Sequence, residues 1–318
     1  MKAALVEQPG QAPVYTDFAD PAPAPGLRVL RVTAAAISHV TRSRASGVHY
    51  SVGGGGPQMA GMDGVGVDED GRRVYFILPE APFGAMAERC LVDARRCIAL
   101  PDELGDVQAA ALAIPGMSSW AALTERAQLK PGETVLVNGA TGASGRLAVQ
   151  VAKHLGARKV IATGRNAAAL AELRALGADA AIALTDDGGA LERVFRAEFA
   201  QGIDVVLDYV WGPSAEALIV AAAKSGPEAV PIRYVQIGAI SGADITLPGA
   251  ALRSSALQLM GSGIGSIPQP RLLAAIRSVL EAAPQAGLRI ATRTRPLAQV
   301  AQAWDDAGDA RSRIVLVP

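Results

Sequence analysis

The chain is short of several things, and each shortage narrows what it can be. It has only two cysteines, Cys90 and Cys97, in 318 residues. Two thiols cannot hold a disulfide-dense secreted scaffold, and they suit a reducing compartment, so a cytoplasmic protein is expected. Charge of one sign is not in excess, since 30 Lys and Arg face 30 Asp and Glu. A nucleic-acid or anionic-membrane partner needs a basic surplus, so neither is expected. No run of about 18 apolar residues occurs, so no membrane span is expected. The start reaches Glu7 too soon for a secretory leader. No G-x-S-x-G elbow is present, because Gly142-Ala-Ser-Gly-Arg146 fails its last position. No G-x-x-x-x-G-K-[S/T] loop is present either.

What is there is apolar, since half the residues are hydrophobic and 34 are glycine. That is enough for full cores, and the length suits two domains. Residues 1 to about 100 hold short apolar runs at 27–32, 64–67, 73–78 and 90–92, broken by Gly and Pro. Asp68-Glu69-Asp70-Gly71 falls between two of them and reads as a hairpin turn. This part is β-rich and barrel-like. From about 105 to 260, apolar strands alternate with helix-length segments. Strands are expected at 134–140, 159–163, 180–184, 203–210 and 232–240, and helices at 145–155, 167–176, 190–200 and 214–224. That alternation predicts a parallel sheet covered on both faces. Beyond 260, the pattern predicts a helix near 271–283, a strand near 288–292, a helix near 297–307 and a last strand at 314–317.

The motif that carries chemistry is Thr134-Val-Leu-Val-Asn-Gly-Ala-Thr-Gly-Ala-Ser-Gly145. A strand runs into a glycine turn and a helix follows. The dinucleotide spacing G-x-G-x-x-G falls on Ala140, Gly142 and Gly145, with Ala in the first place. Gly142 gives a pyrophosphate access to the backbone, and Gly145 gives close helix–strand packing. Thr141, Ala143 and Ser144 complete the turn. The second strand ends at Gly164-Arg165-Asn166, with no acid to hold an adenine-ribose hydroxyl. Arg165 offers a guanidinium suited to a 2′-phosphate, so NADP(H) is expected over NAD(H). The alternative is a solvated surface arginine. Tyr209 and Val210, which follow the fourth strand, and Ile237 and Gly238, which end the fifth, lie where open sheets gather ligands. Residues 115–120, with Met117, are expected to open the helix entering this domain. Trp120 and Trp211 are expected to be core or rim aromatics, and His154 a surface residue.

These residues resemble the medium-chain dehydrogenase/reductase superfamily, in its zinc-free quinone oxidoreductase branch. The resemblance spans the chain. It rests on Met1-Lys2-Ala3, Gly61-Met62-Asp63-Gly64-Val65-Gly66, Gly84-Ala85-Met86-Ala87-Glu88 and Leu129-Lys130-Pro131-Gly132-Glu133. It continues through the loop to Gly145, Leu176-Gly177-Ala178-Asp179 and Arg313-Ile314-Val315-Leu316-Val317. It implies an α/β protein, a Rossmann doubly wound parallel sheet inserted in a GroES-like β-barrel catalytic domain. The catalytic domain would be 1–113 with 262–318, and the NADP-binding domain 114–261. The resemblance implies a homodimer paired through the last strand of the nucleotide domain, near 257–263. Zinc-bearing relatives place Cys where this chain has Ser38, and His-Glu where it has Met62-Asp63, so no metal is expected.

The implied reaction is hydride transfer from NADPH to a quinone, an enone or an enal. Zinc-free relatives often carry Asn at the place of Ser38 and Tyr at that of Ser43. Here the same stretch offers other polar groups. Ser38 is expected beside the cofactor. His39 is either a proton donor or a hydrogen-bonded structural residue, and Tyr50 either bonds a substrate carbonyl or lines the cleft. The glycines at 53–56 are either a mobile loop at the substrate mouth or an ordinary connection. Two other readings stay open: an enoyl-thioester reductase of a biosynthetic pathway, and a non-catalytic NADPH-binding sensor.

Overall fold

The computed structural model describes residues 1–47, 58–306 and 312–318. His49, Tyr50 and the glycines at 53–56 lie outside the described residues. Along the chain come β1 (Lys2–Val6), β2 (Val14–Asp17), β3 (Leu27–Ala36), α1 (His39–Ala45), β4 (Gln58–Met59), β5 (Asp63–Val67), β6 (Arg73–Ile77), β7 (Arg89–Asp93), β8 (Cys97–Ala99) and α2 (Asp106–Ala121). Then follow β9 (Thr134–Asn138), α3 (Ala143–His154), β10 (Lys159–Gly164), α4 (Ala167–Glu172), β11 (Ala180–Ala183), α5 (Gly188–Phe199), β12 (Val205–Asp208), α6 (Gly212–Ser225) and β13 (Ile232–Gln236). The chain closes with α7 (Gly249–Arg253), β14 (Leu257–Gly261), α8 (Gln269–Ala286), β15 (Ala291–Pro296), α9 (Val300–Asp306) and β16 (Ser312–Val317). Two units form: Met1–Ile114 with Arg277–Pro318, and the contiguous Pro115–Ile276.

The contiguous unit is built on a six-stranded sheet in the order β11-β10-β9-β12-β13-β14, with every pairing parallel. This is the Rossmann order, 3-2-1-4-5-6 in its own strands. β9 and β12 are buried along their whole length, as their apolar stretches Val135–Val137 and Val205–Leu207 require. α5 buries Leu191, Phe195 and Phe199, one turn apart each, and Asp187 caps its start by accepting from the Ala190 N–H at 2.9 Å. Those rings join Leu136, Ile161, Val206 and Tyr234 in one core.

The split unit holds a sheet in the order β15-β16-β3-β5-β6-β8, with β7 also on β3, and a small sheet β2-β1-β4. Apart from the parallel pair β15–β16, its pairings are antiparallel. The turn expected at 68–71 joins β5 to β6. Asp68 Oδ1 accepts from the Asp70 and Arg72 N–H groups at 3.1 and 2.8 Å. Both ends of the chain build one core, in which Leu30, Phe76 and Val92 meet Val300, Trp304 and Leu316. Among the described residues, no helix is long and apolar enough to cross a membrane.

Two expectations are corrected. Pro115 does not open a helix; it lies inside α2, which starts nine residues earlier at Asp106. Burial of Ala109 through Ile114 holds this helix despite the lost proline N–H. The strand expected near 288–292 lies at Ala291–Pro296, where pairing with β16 sets its register. Leu288 and Ile290 are buried core residues ahead of it.

Candidate functional site

In the contiguous unit, β9 ends at Asn138 and turns at Gly139, whose φ of 85° suits glycine. A Cβ there would lie 2.5 Å from Val210 Cγ2, so this residue also lets two loops touch. The spacing motif puts Ala140 in that place; the left-handed turn falls one residue earlier. Gly145 packs so closely that a Cβ would lie 2.6 Å from Ala140 Cα. Gly142 is the opposite case. It caps α3 with no side-chain bond, and the nearest atom to a built Cβ is 4.0 Å away. Gly142 therefore leaves open room at the first turn of α3, where Ala143, Ser144 and Gly145 present their N–H groups. Thr141 presses on the end of β10, where a Cβ on Gly164 would lie 3.0 Å from its Oγ1.

Arg165 is exposed at that strand end and makes no ion pair or side-chain hydrogen bond among the described residues. Its neighbour Asn166 serves the local backbone, since its Oδ1 accepts from the Ala169 N–H at 2.9 Å and caps α4. Arg146, by contrast, is engaged by the Thr141 carbonyl at 3.1 Å and by Glu172 at 2.6 Å.

Beneath the loop lies a buried polar cluster that sequence reading missed. Asp208, at the end of β12, is fully buried. Its Oδ1 accepts from Asn138 Nδ2 at 2.8 Å, from the Val210 N–H at 2.8 Å and from the Trp211 N–H at 3.1 Å. Its Oδ2 accepts from the Tyr234 hydroxyl at 2.7 Å. Burial raises its pKa, while these four donors pull the other way. Asn138 also donates to Ser214 Oγ at 3.0 Å and accepts from Thr163 Oγ1 at 2.7 Å. Thr163 Oγ1 in turn accepts from the Gly139 N–H at 3.1 Å. The one sequence signal was a polar residue, Asn138 or Asp208, closing an apolar strand.

The other expected residues of this unit gather nearby. The Ile237 and Gly238 N–H groups both donate to the Asp208 carbonyl, at 2.7 and 3.1 Å. Tyr209 hydroxyl lies 3.3 Å from Ser118 Oγ, next to Met117, and burial pushes its pKa up to about 12. Met117 and Trp120 pack beside Ala121, Ile267 and Leu272, and the Trp120 ring meets that of the exposed His154 at a tilt of 41°, with centroids 5.6 Å apart. Trp211, partly buried, meets the Tyr234 ring edge-on at 6.5 Å.

Ser38 and His39 belong to the split unit. Ser38 is buried and caps α1: its Oγ accepts from the Thr41 N–H at 3.0 Å and lies 2.9 Å from Thr41 Oγ1. Its hydroxyl is therefore occupied locally. His39 opens α1 at the surface. Desolvation by neighbouring groups, then the Arg313 and Arg42 charges, lower its pKa, so at neutral pH the imidazole is uncharged. Asp63 is 2% exposed and bonded through Oδ2 to the Tyr75 hydroxyl at 3.1 Å. Its Oδ1 and the Nε of buried Arg313 have no hydrogen-bond partner among the described residues. Burial pushes the Asp63 pKa up to about 7, against the Tyr75 bond and the Arg313 charge.

A family described as zinc-binding dehydrogenase matches residues 143–281. A probable NADPH-dependent quinone reductase of Emericella nidulans is 32% identical over 361 residues, covering 100% of both chains. The chain belongs to the medium-chain dehydrogenase/reductase superfamily, in its quinone oxidoreductase branch. A 2-haloacrylate reductase of a Burkholderia species is 32% identical over 201 residues, 59% of each chain. The solved quinone oxidoreductase of Thermus thermophilus, known also as its complex with NADPH, is 30% identical with a TM-score of 0.83 over 100% of both chains. The Rossmann sheet inserted in a GroES-like catalytic domain is thus the architecture of this superfamily.

The superfamily's other branch raises zinc, and the residues here do not fit it. Ser38 offers a hydroxyl already used as a helix cap. Met62 offers a buried thioether, and Asp63 a buried carboxyl bonded to Tyr75. Catalytic zinc takes about three N, S or O ligands at one point. Among the described residues, no three His, Cys, Asp or Glu side chains gather.

Proposed function

We propose that the chain is an NADPH-dependent reductase that passes a hydride to a quinone or an α,β-unsaturated carbonyl, without zinc. The observation that carries this reading is the glycine turn on β9, with open room at Gly142 and the exposed Arg165 at the end of β10. The names of its relatives support it: an NADPH-dependent quinone reductase and a reductase of a halogenated alkene acid.

In this reading the contiguous unit binds NADPH and the split unit faces the acceptor. The N–H groups of Thr141, Gly142, Ala143, Ser144 and Gly145 hold the pyrophosphate at the start of α3. Gly164, Arg165 and Asn166 hold the adenosine end, where Arg165 pairs with the 2′-phosphate. Met117, Tyr209, Val210, Ile237 and Gly238 of the contiguous unit border the nicotinamide. Bound NADPH supplies the hydride from C4 of that ring. The acceptor is left with an oxyanion or enolate, which needs a proton or a hydrogen bond. His39 and Tyr50 are assigned that role. With its pKa lowered, His39 acts as a neutral hydrogen-bond donor, not as an imidazolium acid.

The same proposal includes a cytoplasmic homodimer. β14 ends the parallel sheet with one side unpaired among the described residues and Leu259 exposed, which supports pairing of two copies there.

Loss of NADPH absorbance on addition of quinones, enals, enones and acyl thioesters tests the activity. Turnover on the first three is expected. Tight NADPH binding without turnover on any of them would turn the reading toward a sensor. Arg165→Ala is expected to lower the preference for NADPH over NADH by about tenfold or more, one charged contact's worth. Unchanged preference would remove Arg165 from the site. If His39→Ala and Tyr50→Phe both leave kcat unchanged, solvent delivers the proton.

A further inference from the structure

We propose that Asn138, Thr163 and Asp208 are positioning residues that tie the phosphate turn at Gly139 to the turn at Val210 and Trp211, so that NADPH engages both turns together. The proposal rests on the NADPH reading and gives three buried side chains a role in it.

The connection is a closed ring. The Gly139 N–H donates to Thr163 Oγ1, and Thr163 donates its only proton to Asn138 Oδ1. Asn138 Nδ2 donates to Asp208 Oδ1, which also takes the Val210 and Trp211 N–H groups. Val210 Cγ2 then closes the ring by lying where a side chain on Gly139 would be. One turn is thus bound to the other by hydrogen bonds on one side and by direct packing on the other.

The ring has no slack. Thr163 has one proton and gives it to Asn138, which leaves a lone pair aimed at Gly139. The two protons of the Asn138 amide go to Asp208 and Ser214. Asp208 has none to give and four to receive. A shift of either turn therefore breaks a bond that the cluster cannot trade for another, since each donor and acceptor in it is already engaged. Trp211 is held at φ 61° and ψ −159°, which a non-glycine residue adopts only under constraint. The Asp208 carboxylate, taking two successive N–H groups there, supplies the constraint.

A purely structural cluster would set stability and leave cofactor binding alone. Amide hydrogen exchange of the wild-type protein, with and without NADPH, separates the two. The expected result is that NADPH slows exchange at Gly139, Val210 and Trp211 together. Thr163→Val removes the hydroxyl under Gly139 and touches neither Val210 nor Asp208. It is expected to weaken NADPH binding about tenfold, raise KM and loosen the Val210 and Trp211 amides. Thr163→Ser keeps the hydroxyl and is expected to restore all three. NADPH that protects Gly139 but leaves Val210 and Trp211 unchanged would overturn the proposal. So would a folded Thr163→Val protein that binds NADPH as the wild type does. Should that variant fail to fold, the wild-type exchange pattern decides alone. A wild type that takes up no NADPH in a fluorescence titration fells the NADPH reading itself, and the proposal with it.

Discussion

Each unit buries one aspartate against a tyrosine, and treats it differently. Asp208 in the contiguous unit receives four donors, and both its oxygens are satisfied. Asp63 in the split unit receives one, from Tyr75, and its other oxygen meets no donor among the described residues. Arg313 is buried as well, yet its Nε also goes without a partner among them. A buried charge persists only where hydrogen bonds replace the water it lost. Asp208 has those bonds. Asp63 lacks them, and its proton leaves only at about pH 7. The difference is one of backbone supply: the turn after β12 folds its own N–H groups onto Asp208, whereas Asp63 opens a strand, paired with Ile77, whose N–H groups serve the sheet.

The contrast is easiest to break at its stronger member. Asp208→Ala strands four donors inside the core and is expected to cost about 5 kcal/mol or more, at 1–3 kcal/mol for each unpaired group. Urea denaturation at neutral pH measures it. A loss near 1 kcal/mol would mean that the donors find other partners.

Next comes the weaker member. The folded state keeps the Asp63 proton up to about pH 7, and the unfolded chain only to the ordinary carboxyl value of 3.8. The folded state therefore holds excess protons between those values, and stability falls as pH rises through that window. Asp63→Asn removes this slope, which is worth up to about 4 kcal/mol at 1.4 kcal/mol per unit. Unfolding midpoints at about pH 5 and about pH 8 check it. A slope that survives the substitution would place the proton elsewhere.

The tyrosines sharpen the comparison further. Tyr75→Phe takes from Asp63 its one donor among the described residues and is expected to cost about 2 kcal/mol above pH 7, whereas Tyr234→Phe leaves Asp208 three donors and is expected to cost about 1 kcal/mol. Equal losses would erase the distinction between the two sites. The smallest effect on folding is expected at Gly142, outside both clusters. Gly142→Ala has an ordinary φ and room for its methyl, so stability should move by less than about 0.5 kcal/mol while NADPH affinity falls. A Tm and a cofactor titration on one sample would show both.

Much of this architecture was legible in the sequence. Apolar runs five to nine residues long, separated by amphipathic helices, marked the parallel sheet because both of its faces are covered. The glycine turn was legible because strand, turn and helix are consecutive in the chain. The Asp68 hairpin was legible for the same reason. The Asp208 cluster was not, since Asn138 and Asp208 are 70 residues apart and meet only once β12 lies beside β9. Ser38 shows a subtler limit. Its place in the superfamily pattern pointed to the cofactor, while the Ser-x-x-Thr spacing of a helix cap lay in the same four residues. Pro115 misled because proline favours the first turn of a helix, and only the buried alanines ahead of it show that α2 has already begun.

β16 lies between β15 and β3, so a sheet begun near the amino end is completed by the last strand of the chain. During synthesis, Pro115–Ile276 leaves the ribosome with every strand of its parallel sheet already made. β3 finds β5 and β7 early, but its other neighbour arrives only with Ser312–Val317. Through most of translation the split unit thus carries an open strand edge, the kind that invites mispairing. A nascent chain stalled before β16 should therefore hold a finished parallel sheet and an unfinished barrel. β16 is in this sense the last piece of the split unit's sheet to be made, and its deletion should leave protein that aggregates through the split unit while the inserted unit stays folded.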